Sequence, residues 1–341
     1  MFAKNCWYMA VDVEDVTSDG PVAVKVAGEE IVLYRDTANK IVAMADLCPH
    51  RMAPLSLGRI EGDDIRCMYH GITFGSDGQC KAVPGQEMVP KTFCVKKYAI
   101  SEGHEWVWVW IGDQTQADNA LVPDQRFHDP KQFNVRKGSV EFNASYELFN
   151  DNTCDLSHVS FVHEKTFGST GNDEWAVRQP VTTLHDRSVQ VDRWMEGISI
   201  PYVPDQEVDY SSRFEHVLPG VFIMDLQAHP VGTAKKLGYG APPEDLKPLY
   251  HAGTIQTMRP ITETTSRFYF SIVAPLWTAQ ELLDGDIEFA KLGFLEDKAI
   301  CEAQQRAISN HPEGQMRMTS HDKAGAHIRK LIRASAKSVL A

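Results

Sequence analysis

The chain has 341 residues, of which 34 are Lys or Arg and 46 are Asp or Glu, so its formal net charge is −12 at pH 7. This acidic balance argues against nucleic acid or an anionic membrane as the main partner. No apolar run reaches the roughly 18 residues that span a bilayer, and the N-terminus lacks the apolar segment of a signal peptide, so we expect a soluble protein with two domains.

The first third of the chain consists of short β-prone runs separated by Gly, Asp and Asn, which predicts an all-β domain. We place strands at 22–26, 30–34, 40–44 and 106–111, and we expect the three tryptophans of the last strand to pack in the core. Residues 113–125 are polar and contain proline, which indicates a boundary. We therefore assign residues 1–115 to a first domain and 116–341 to a second.

The second domain reads as α+β, with both strand and helix periodicities. Strands are predicted at 134–143, 181–195, 213–229, 251–258 and 266–273, and helices at 146–159, 284–309 and, from its periodicity, 323–341. The Gly- and Pro-rich segment 234–248 is expected to be a surface loop or lid.

Two segments of the first domain each pair one cysteine with one histidine: Cys48-Pro49-His50 and Cys67-Met68-Tyr69-His70. Two thiolates on one iron and two imidazoles on the other suit a [2Fe–2S] cluster, whose potential is then roughly −150 to +300 mV against about −400 mV for an all-cysteine plant-type cluster. A structural zinc site is the alternative, but zinc modules usually pair like with like. Zinc would leave the protein colourless.

A second constellation lies on the first predicted helix of the second domain. Asn152, Asp155 and His158 are spaced three residues apart, which keeps them on about a third of a helix circumference, and His163 follows near the expected helix end. Two histidines and one carboxylate form the facial triad of non-haem Fe(II) oxygenases, which leaves positions open for dioxygen.

The carboxylate of that triad has a candidate on the long predicted helix. One stripe of this helix is apolar except at Asp297; its members are Ile287, Ala290, Phe294, Asp297 and Cys301. A carboxylate in a buried stripe is unfavourable unless it is paired or bound to a metal. The alternatives are that Asp297 pairs with a neighbouring cation, such as Lys298, or that the stripe is half exposed.

These motifs resemble the oxygenase components of Rieske non-haem iron oxygenases, and within them the aromatic O-demethylases. The resemblance runs from Asn5-Cys6-Trp7-Tyr8 to Leu295-Glu296-Asp297-Lys298, and the segments that carry it most clearly are Asp46-Leu47-Cys48-Pro49-His50-Arg51, Pro54-Leu55-Ser56 and Tyr69-His70-Gly71. Met68 departs from the family, which commonly has proline there. Neither loop has the extra cysteine of membrane-bound Rieske proteins, and the other five cysteines show no disulfide framework, as expected in a reducing cytoplasm.

The resemblance implies an N-terminal all-β Rieske domain and a C-terminal helix-grip-like antiparallel sheet with helices. It also assigns the sites. The [2Fe–2S] cluster is expected on Cys48, His50, Cys67 and His70. The mononuclear Fe(II) is expected on His158, His163 and Asp297, with Asn152 close by.

By the same resemblance, Asp155 is the bridging carboxylate between the two metal centres. It would accept hydrogen bonds from His158 and from His70 of a neighbouring subunit in a head-to-tail homotrimer. A carboxylate in this position orients imidazole ligands and raises their basicity.

The expected function is that of a terminal oxygenase in a multicomponent monooxygenase. It would hydroxylate or O-demethylate a small carboxylated or methoxylated aromatic compound with O2 and with electrons from NAD(P)H through a separate reductase or ferredoxin. The absence of a GxGxxG fingerprint agrees with a separate reductase. A ring-hydroxylating, cis-dihydroxylating dioxygenase is the alternative, and a Rieske electron carrier is a more distant one.

The pocket is the least determined part of the site. Its aromatic candidates are Trp194, Phe222, Tyr269 and Trp277, and the candidates to receive a substrate carboxylate are Arg193, Arg213, Arg259 and His216. For each of these side chains, the alternative to a role in the pocket is an ordinary position in the core or on the surface.

Overall fold

The computed structural model describes residues 1–89, 91–167, 174–177, 180–200, 202–243 and 245–337. They form two compact units: Phe2–Val122 with Arg259–Ile261, and Pro123–Met258 with Thr262–Lys337 and Met1. No helix among these residues is long and apolar enough to cross a membrane.

The first unit is built from three small sheets, with strand orders β1-β10-β9, β2-β3-β4 and β5-β6-β7-β8. The strands are β1 (Cys6–Asp12), β2 (Val22–Val26), β3 (Glu29–Arg35), β4 (Ile41–Ala45), β5 (Arg59–Glu61), β6 (Asp64–Arg66), β7 (Thr73–Phe74), β8 (Cys80–Ala82), β9 (Ile100–Glu102) and β10 (Trp106–Ile111). All six residues of β10 are buried, so its three tryptophans do pack in the core. The all-β prediction is confirmed, although β1 and the two- or three-residue strands were not predicted.

The second unit contains one seven-stranded antiparallel sheet of order β11-β17-β16-β15-β14-β13-β12. Its strands are β11 (Phe133–Phe142), β12 (Val181–Leu184), β13 (Ser188–Ile198), β14 (Val208–Val217), β15 (Val221–Pro230), β16 (Tyr250–Pro260) and β17 (Ser266–Pro275). The helices are α1 (Tyr146–Cys154), α2 (Val159–Val162), α3 (Glu174–Val177), α4 (Thr233–Lys236), α5 (Gln280–Asn310) and α6 (Lys323–Lys337). This sheet with helices confirms the predicted fold class.

The long helix α5 lies across β11 and β17 and is fixed to β11 along its length. Near its start, Asp284 Oδ1 accepts a hydrogen bond from Arg136 Nε at 2.5 Å. Near its end, Glu302 Oε1 accepts one from the backbone N–H of Asn143 at 2.8 Å. Between these contacts, the Phe294 ring packs against the sheet. The two polar contacts fix how far α5 is shifted along the strand.

One face of the sheet is turned toward α5, and we call it the inner face. Phe268 and Phe270 contact Phe294 of α5 with ring centroids 4.8 and 4.6 Å apart. Tyr250 stacks on Tyr202, whose hydroxyl donates a hydrogen bond to Asp286 of α5. Because side chains alternate along a strand, the even-numbered residues of β16 and β17 lie on the inner face.

Two predicted strands are wrong as single elements. The run 181–195 is divided into β12 and β13 by a turn that closes with a 2.9 Å bond from His185 N–H to Ser188 O. The run 213–229 is divided into β14 and β15 at Leu218-Pro219-Gly220. Pro-Gly is typical of turns, and proline has no N–H to donate to a neighbouring strand. The sequence therefore already indicated this second break.

The first part of the predicted loop 234–248 contains most of the single-turn helix α4 and is held on the outer face of the sheet as far as Gly240. Trp194 Nε1 donates to the carbonyl of Gly240 at 2.9 Å, and Tyr239 donates to Glu196 at 2.7 Å. Both β13 residues are even-numbered, and they therefore point away from their odd-numbered neighbour Arg193. This anchored part of the loop is therefore not a lid over the inner face. The predicted C-terminal helix is described over Lys323–Lys337, and 338–341 lie outside the described residues.

Substituting Gly138 of β11 with alanine is expected to destabilise the contact between the sheet and α5. A Cβ at this position would meet ring carbons of Phe270 at 2.4 to 2.9 Å. Such overpacking costs about 1–3 kcal/mol of unfolding free energy. Urea denaturation measures the effect. The matched control is Gly285→Ala in exposed helix, where a Cβ meets nothing within 4 Å, and it should gain up to about 1 kcal/mol. Equal stability of the two variants would contradict the packing described here.

Candidate metal centres

The first centre lies in two loops of the first unit, where the two cysteines are buried and the two histidines are exposed. Cys48 and Cys67 are 1% and 2% exposed. Burial raises the pKa of the Cys48 thiol, and the adjacent Cys67 thiol adds to this shift. The rings of His50 and His70 lie with centroids 4.6 Å apart. The structure therefore brings all four predicted residues together, with the thiols inside and the imidazoles at the surface.

The two loops share one backbone pattern. The N–H groups of Cys48 and Cys67 donate to the carbonyl five residues further on, at 2.8 and 2.9 Å, and their carbonyls accept from the N–H four residues further on, both at 2.9 Å. The residues at that fourth position, Met52 and Gly71, both have left-handed backbones with φ of 58° and 71°. This repeated turn presents one thiol and one imidazole from each side, which fits a [2Fe–2S] cluster with chemically different halves.

The first loop is also held by a buried carboxylate. Asp46, 8% exposed, accepts hydrogen bonds from the backbone N–H and the hydroxyl of Ser56, both at 2.6 Å. Met68, the residue that departs from the family pattern, is half exposed and lies between Cys67 and the exposed Tyr69 and His70.

The second centre converges on Asp297 of α5, which is only 3% exposed. Its Oδ1 lies 3.4 Å from His158 Nε2 and 3.2 Å from His163 Nε2. One ligand atom from each of these three residues lies within 4.8 Å of the other two. One short segment that carries His158 and His163 and the distant helix α5 thus present two imidazoles and one carboxylate to a common point.

The predicted helix 146–159 is wrong because the structure interrupts it at Asp155. α1 ends at Cys154, and Asp155 has an extended backbone with φ −121° and ψ 91°. The Asp155 Oδ1 accepts from the backbone N–H of Ser157 at 2.9 Å and so caps a short 3₁₀ turn over Leu156–His158. Aspartate favours such local bonds over continued helix. The break turns His158 toward Asp297.

Hydrogen bonds at the far ring nitrogens leave the near ones free to bind a metal. His158 Nδ1 lies 2.5 Å from the carbonyl oxygen of Asp155, and His163 Nδ1 lies 2.8 Å from Glu296 Oε2. Both partners are acceptors, so each Nδ1 carries a proton, and each Nε2, which faces Asp297, would present a lone pair once a metal replaces its proton. Two such lone pairs and a carboxylate oxygen are the donor set of a non-haem Fe(II) site.

Asn152 joins this group as predicted. Its Nδ2 donates to Asp297 Oδ1 at 2.9 Å and lies 3.4 Å from His158 Nε2. Asp155 contacts His158 through its backbone carbonyl, whereas its carboxylate caps the turn; no described residue donates to its second oxygen, Oδ2. The predicted carboxylate–imidazole bond within one chain is therefore replaced by a carbonyl–imidazole bond.

Two positioning residues, Glu296 and Thr166, were missed. Thr166 donates to Glu296 Oε2 at 2.5 Å, the same oxygen that receives His163 Nδ1. Glu296 precedes Asp297, and on a helix adjacent residues point in different directions. In the sequence, the only indication of a role for Glu296 was its position next to Asp297, the candidate ligand.

The protonation of the second centre is shaped by the same contacts. Burial disfavours the Asp297 carboxylate, but hydrogen bonds from His158 and His163 outweigh it and hold the pKa of Asp297 below its usual range. Burial lowers the pKa of His163, while its bonds with Asp297 and Glu296 raise it by more. A divalent cation would take the place of the shared proton.

Comparison with known families agrees with both centres. Residues 6–98 match the Rieske [2Fe-2S] domain, and residues 142–338 match the vanillate O-demethylase oxygenase C-terminal domain. The first match removes the reason to retain a zinc site.

Individual relatives cover almost the whole chain. The toluene-4-sulfonate monooxygenase system iron-sulfur subunit of Comamonas testosteroni is 31% identical over 93% of this chain and 92% of its own length. A vanillate O-demethylase oxygenase subunit of Pseudomonas sp. (strain HR199 / DSM 7063) is 32% identical over 97% and 94%. The crystal structure of dicamba monooxygenase bound to 3,6-dichlorosalicylic acid superposes with a TM-score of 0.86 over 100% of this chain and 99% of that one, at 24% identity.

Replacing Glu296 with glutamine is expected to weaken Fe(II) binding about 10- to 100-fold, since the lost negative charge weakens the hydrogen bond from His163 Nδ1 and lowers the basicity of the imidazole. Fe(II) titration of apoprotein measures the affinity, and the visible spectrum reports the other centre, which should be unchanged. Glu288→Gln, at an exposed position of the same helix, is the control. Unchanged iron affinity in Glu296→Gln would remove the positioning role.

Proposed function

The chain belongs to the Rieske oxygenases that carry the vanillate O-demethylase oxygenase C-terminal domain, and we propose that it is the terminal oxygenase of a multicomponent monooxygenase. The observation that carries this proposal is the convergence of His158, His163 and Asp297 in a chain that also holds a Rieske domain. Relatives named as monooxygenase or demethylase components favour this function over cis-dihydroxylation, and the second metal site argues against an electron carrier.

We assign the metals to the residues whose donor atoms converge. Cys48, His50, Cys67 and His70 would hold the [2Fe–2S] cluster, in a domain that we place at residues 1–115. The mononuclear Fe(II) would be held by His158, His163 and Asp297, in a domain at residues 116–341. When bound, the two groups together supply stored electrons and dioxygen activation.

The protein's own contribution is to orient these groups and to bind the substrate. Asn152 fixes the Asp297 carboxylate, while Glu296 and the Asp155 carbonyl fix the two imidazoles. We place the substrate on the inner face of the sheet, the face that is turned toward α5. A metal held by the two imidazoles and Asp297 would supply hydroxylation of the nearest substrate carbon, with one oxygen atom of O2 going to the substrate and the other, with two electrons from the reductase and two protons, to water. At a methoxy group the hydroxylated product is a hemiacetal, which releases formaldehyde and leaves a hydroxyl.

We infer that Asp155 also connects the two kinds of centre across a subunit contact. Its carbonyl bonds His158, and its Oδ2 is left for the exposed His70 of a neighbouring subunit in a homotrimer. Imidazoles exposed at the surface of the first unit suit such a contact. A reductase or ferredoxin would supply the electrons, and we expect the assembly in the cytoplasm.

The substrate is proposed to be a small aromatic compound that carries a carboxylate or methoxy group. The test combines the purified protein with a surrogate reductase, NADH and a panel of methoxylated and carboxylated aromatics. Oxygen uptake matched by formaldehyde shows demethylation. Asp297→Ala is the negative control and should lose both signals together with one iron per chain, while the visible cluster spectrum stays. A panel that yields only cis-diols would reject the monooxygenase.

Changing Asp155 to asparagine is expected to slow product formation by more than about tenfold while both metals stay bound. Asparagine can still cap Ser157, and the backbone carbonyl still bonds His158, so only the carboxylate charge is lost. Single-turnover kinetics with a pre-reduced cluster measures the rate. Asp186→Asn, in the turn between β12 and β13, is the matched control. Wild-type rates in Asp155→Asn would reject the bridge.

A further inference from the structure

Arg193 of β13 is a buried cation on the inner face of the sheet. It pairs across the strands with Ser212 of β14, which pairs in turn with Leu226 of β15, and Leu226 with Ala252 of β16. Residues directly opposite each other in antiparallel strands share a face. Ala252 is two residues from Tyr250, so this whole row faces α5. Arg193 and Ser212 are 7% and 1% exposed.

The polar atoms of this pair are not used within the described part of the chain. Arg193 Nε and Nη1 and the Ser212 hydroxyl are buried, and no described residue forms a hydrogen bond with them. Buried donors without acceptors are costly, most of all on a charged group. Among the described residues, this end of the row therefore has donors without an acceptor.

The other predicted anion-binding candidates are already occupied or lack charge. Arg213 points to the outer face and donates to Asp192 at 2.6 Å. Arg259 belongs to the first unit and bonds the carbonyl of Ala10. Burial lowers the pKa of His216 to about 3, so that it is neutral near pH 7. Arg193 differs from the other three because it combines a charge at neutral pH with two buried donor atoms, Nε and Nη1, that form no hydrogen bond with a described residue.

The surroundings of Arg193 hold its charge in place without neutralising it. The guanidinium lies over the Trp175 ring of α3, 4.9 Å from the ring centroid. Burial lowers the pKa of Arg193 to about 10, which leaves it protonated at neutral pH. Asp155 acts on it electrostatically, but no described carboxylate oxygen lies within ion-pair distance of it. α3 also packs against the 3₁₀ turn Leu156–His158, so Arg193 lies near the segment that carries His158.

We propose that Arg193 and Ser212 receive the anionic group, a carboxylate or sulfonate, of the aromatic substrate and so determine specificity for anions. The row then runs from a charged end at Arg193 to an apolar end at Leu226 and Ala252, which suits a ring with one charged substituent. This inference rests on the proposed function, because it concerns the substrate of the same site.

The test measures binding and turnover separately. Isothermal titration calorimetry of the holoprotein gives Kd for 4-methoxybenzoate, 4-methoxybenzenesulfonate and the neutral 4-methoxybenzamide, and formaldehyde release gives KM and kcat. The wild type should bind at least one anion about 10- to 100-fold more tightly than the amide. Arg193→Gln should abolish this preference, and Ser212→Ala should reduce it. Arg213→Gln, which removes an outer-face arginine, should keep it.

Several results would overturn the proposal. One is a wild type without anion preference, and another is an Arg193→Gln variant that keeps it. A third is an equal fall in kcat for anion and amide with unchanged Kd ratios, which would make Arg193 a positioning residue for Asp155. If Arg193→Gln does not fold, Arg193→Lys and Ser212→Ala test the proposal instead. Both should weaken binding of the anions and leave binding of the amide unchanged. If the wild type turns over none of the three probes but still binds an anion more tightly than the amide, the proposed function is rejected and the anion site remains supported.

Discussion

The buried carboxylate of Asp297 is the constraint around which the second unit is organised. A carboxylate that is 3% exposed is stable only with compensating donors or a cation. Three donors reach it from separate segments: Asn152 in α1, His158 in the 3₁₀ turn and His163 after α2. Each of them needs the helix break at Asp155 or the placement of α5 on the sheet. Local capping and tertiary packing thus act together to stabilise the Asp297 carboxylate.

The two centres differ in how far their side chains are exposed to solvent. In the first, the thiols are enclosed while His50 and His70 lie at the surface, so a cluster held there would exchange electrons through the imidazole side. In the second, His163 and Asp297 are almost fully enclosed, and the reacting groups are kept from bulk water. A centre that exchanges electrons with other proteins has to be exposed, whereas one that activates oxygen has to be sheltered.

The sequence predicted which candidate ligands converge in the structure better than it predicted the direction of the pocket candidates, and the reason is geometric. Ligands such as Cys48 or His158 are recognisable by residue type and spacing, and the apolar stripe of α5 marked Asp297 before any coordinates. The direction of Arg193 depends on strand alternation, which a single missed turn disrupts. With 181–195 and 213–229 read as unbroken strands, no face could be assigned to it. Glu296 acts through a ring nitrogen whose partner only the fold defines.

The two anchors of α5 also set which changes of chain length this protein can accept. Asp284 and Glu302 attach the helix to β11 on either side of Asp297. Each inserted residue rotates everything after it by about 100° around the axis and lengthens the helix by about 1.5 Å. A single insertion or deletion between the anchors would therefore swing the carboxylate out of reach of both imidazoles. Over evolutionary time this stretch should change by substitution alone, while hairpin connections such as 261–265 are free to grow or shrink.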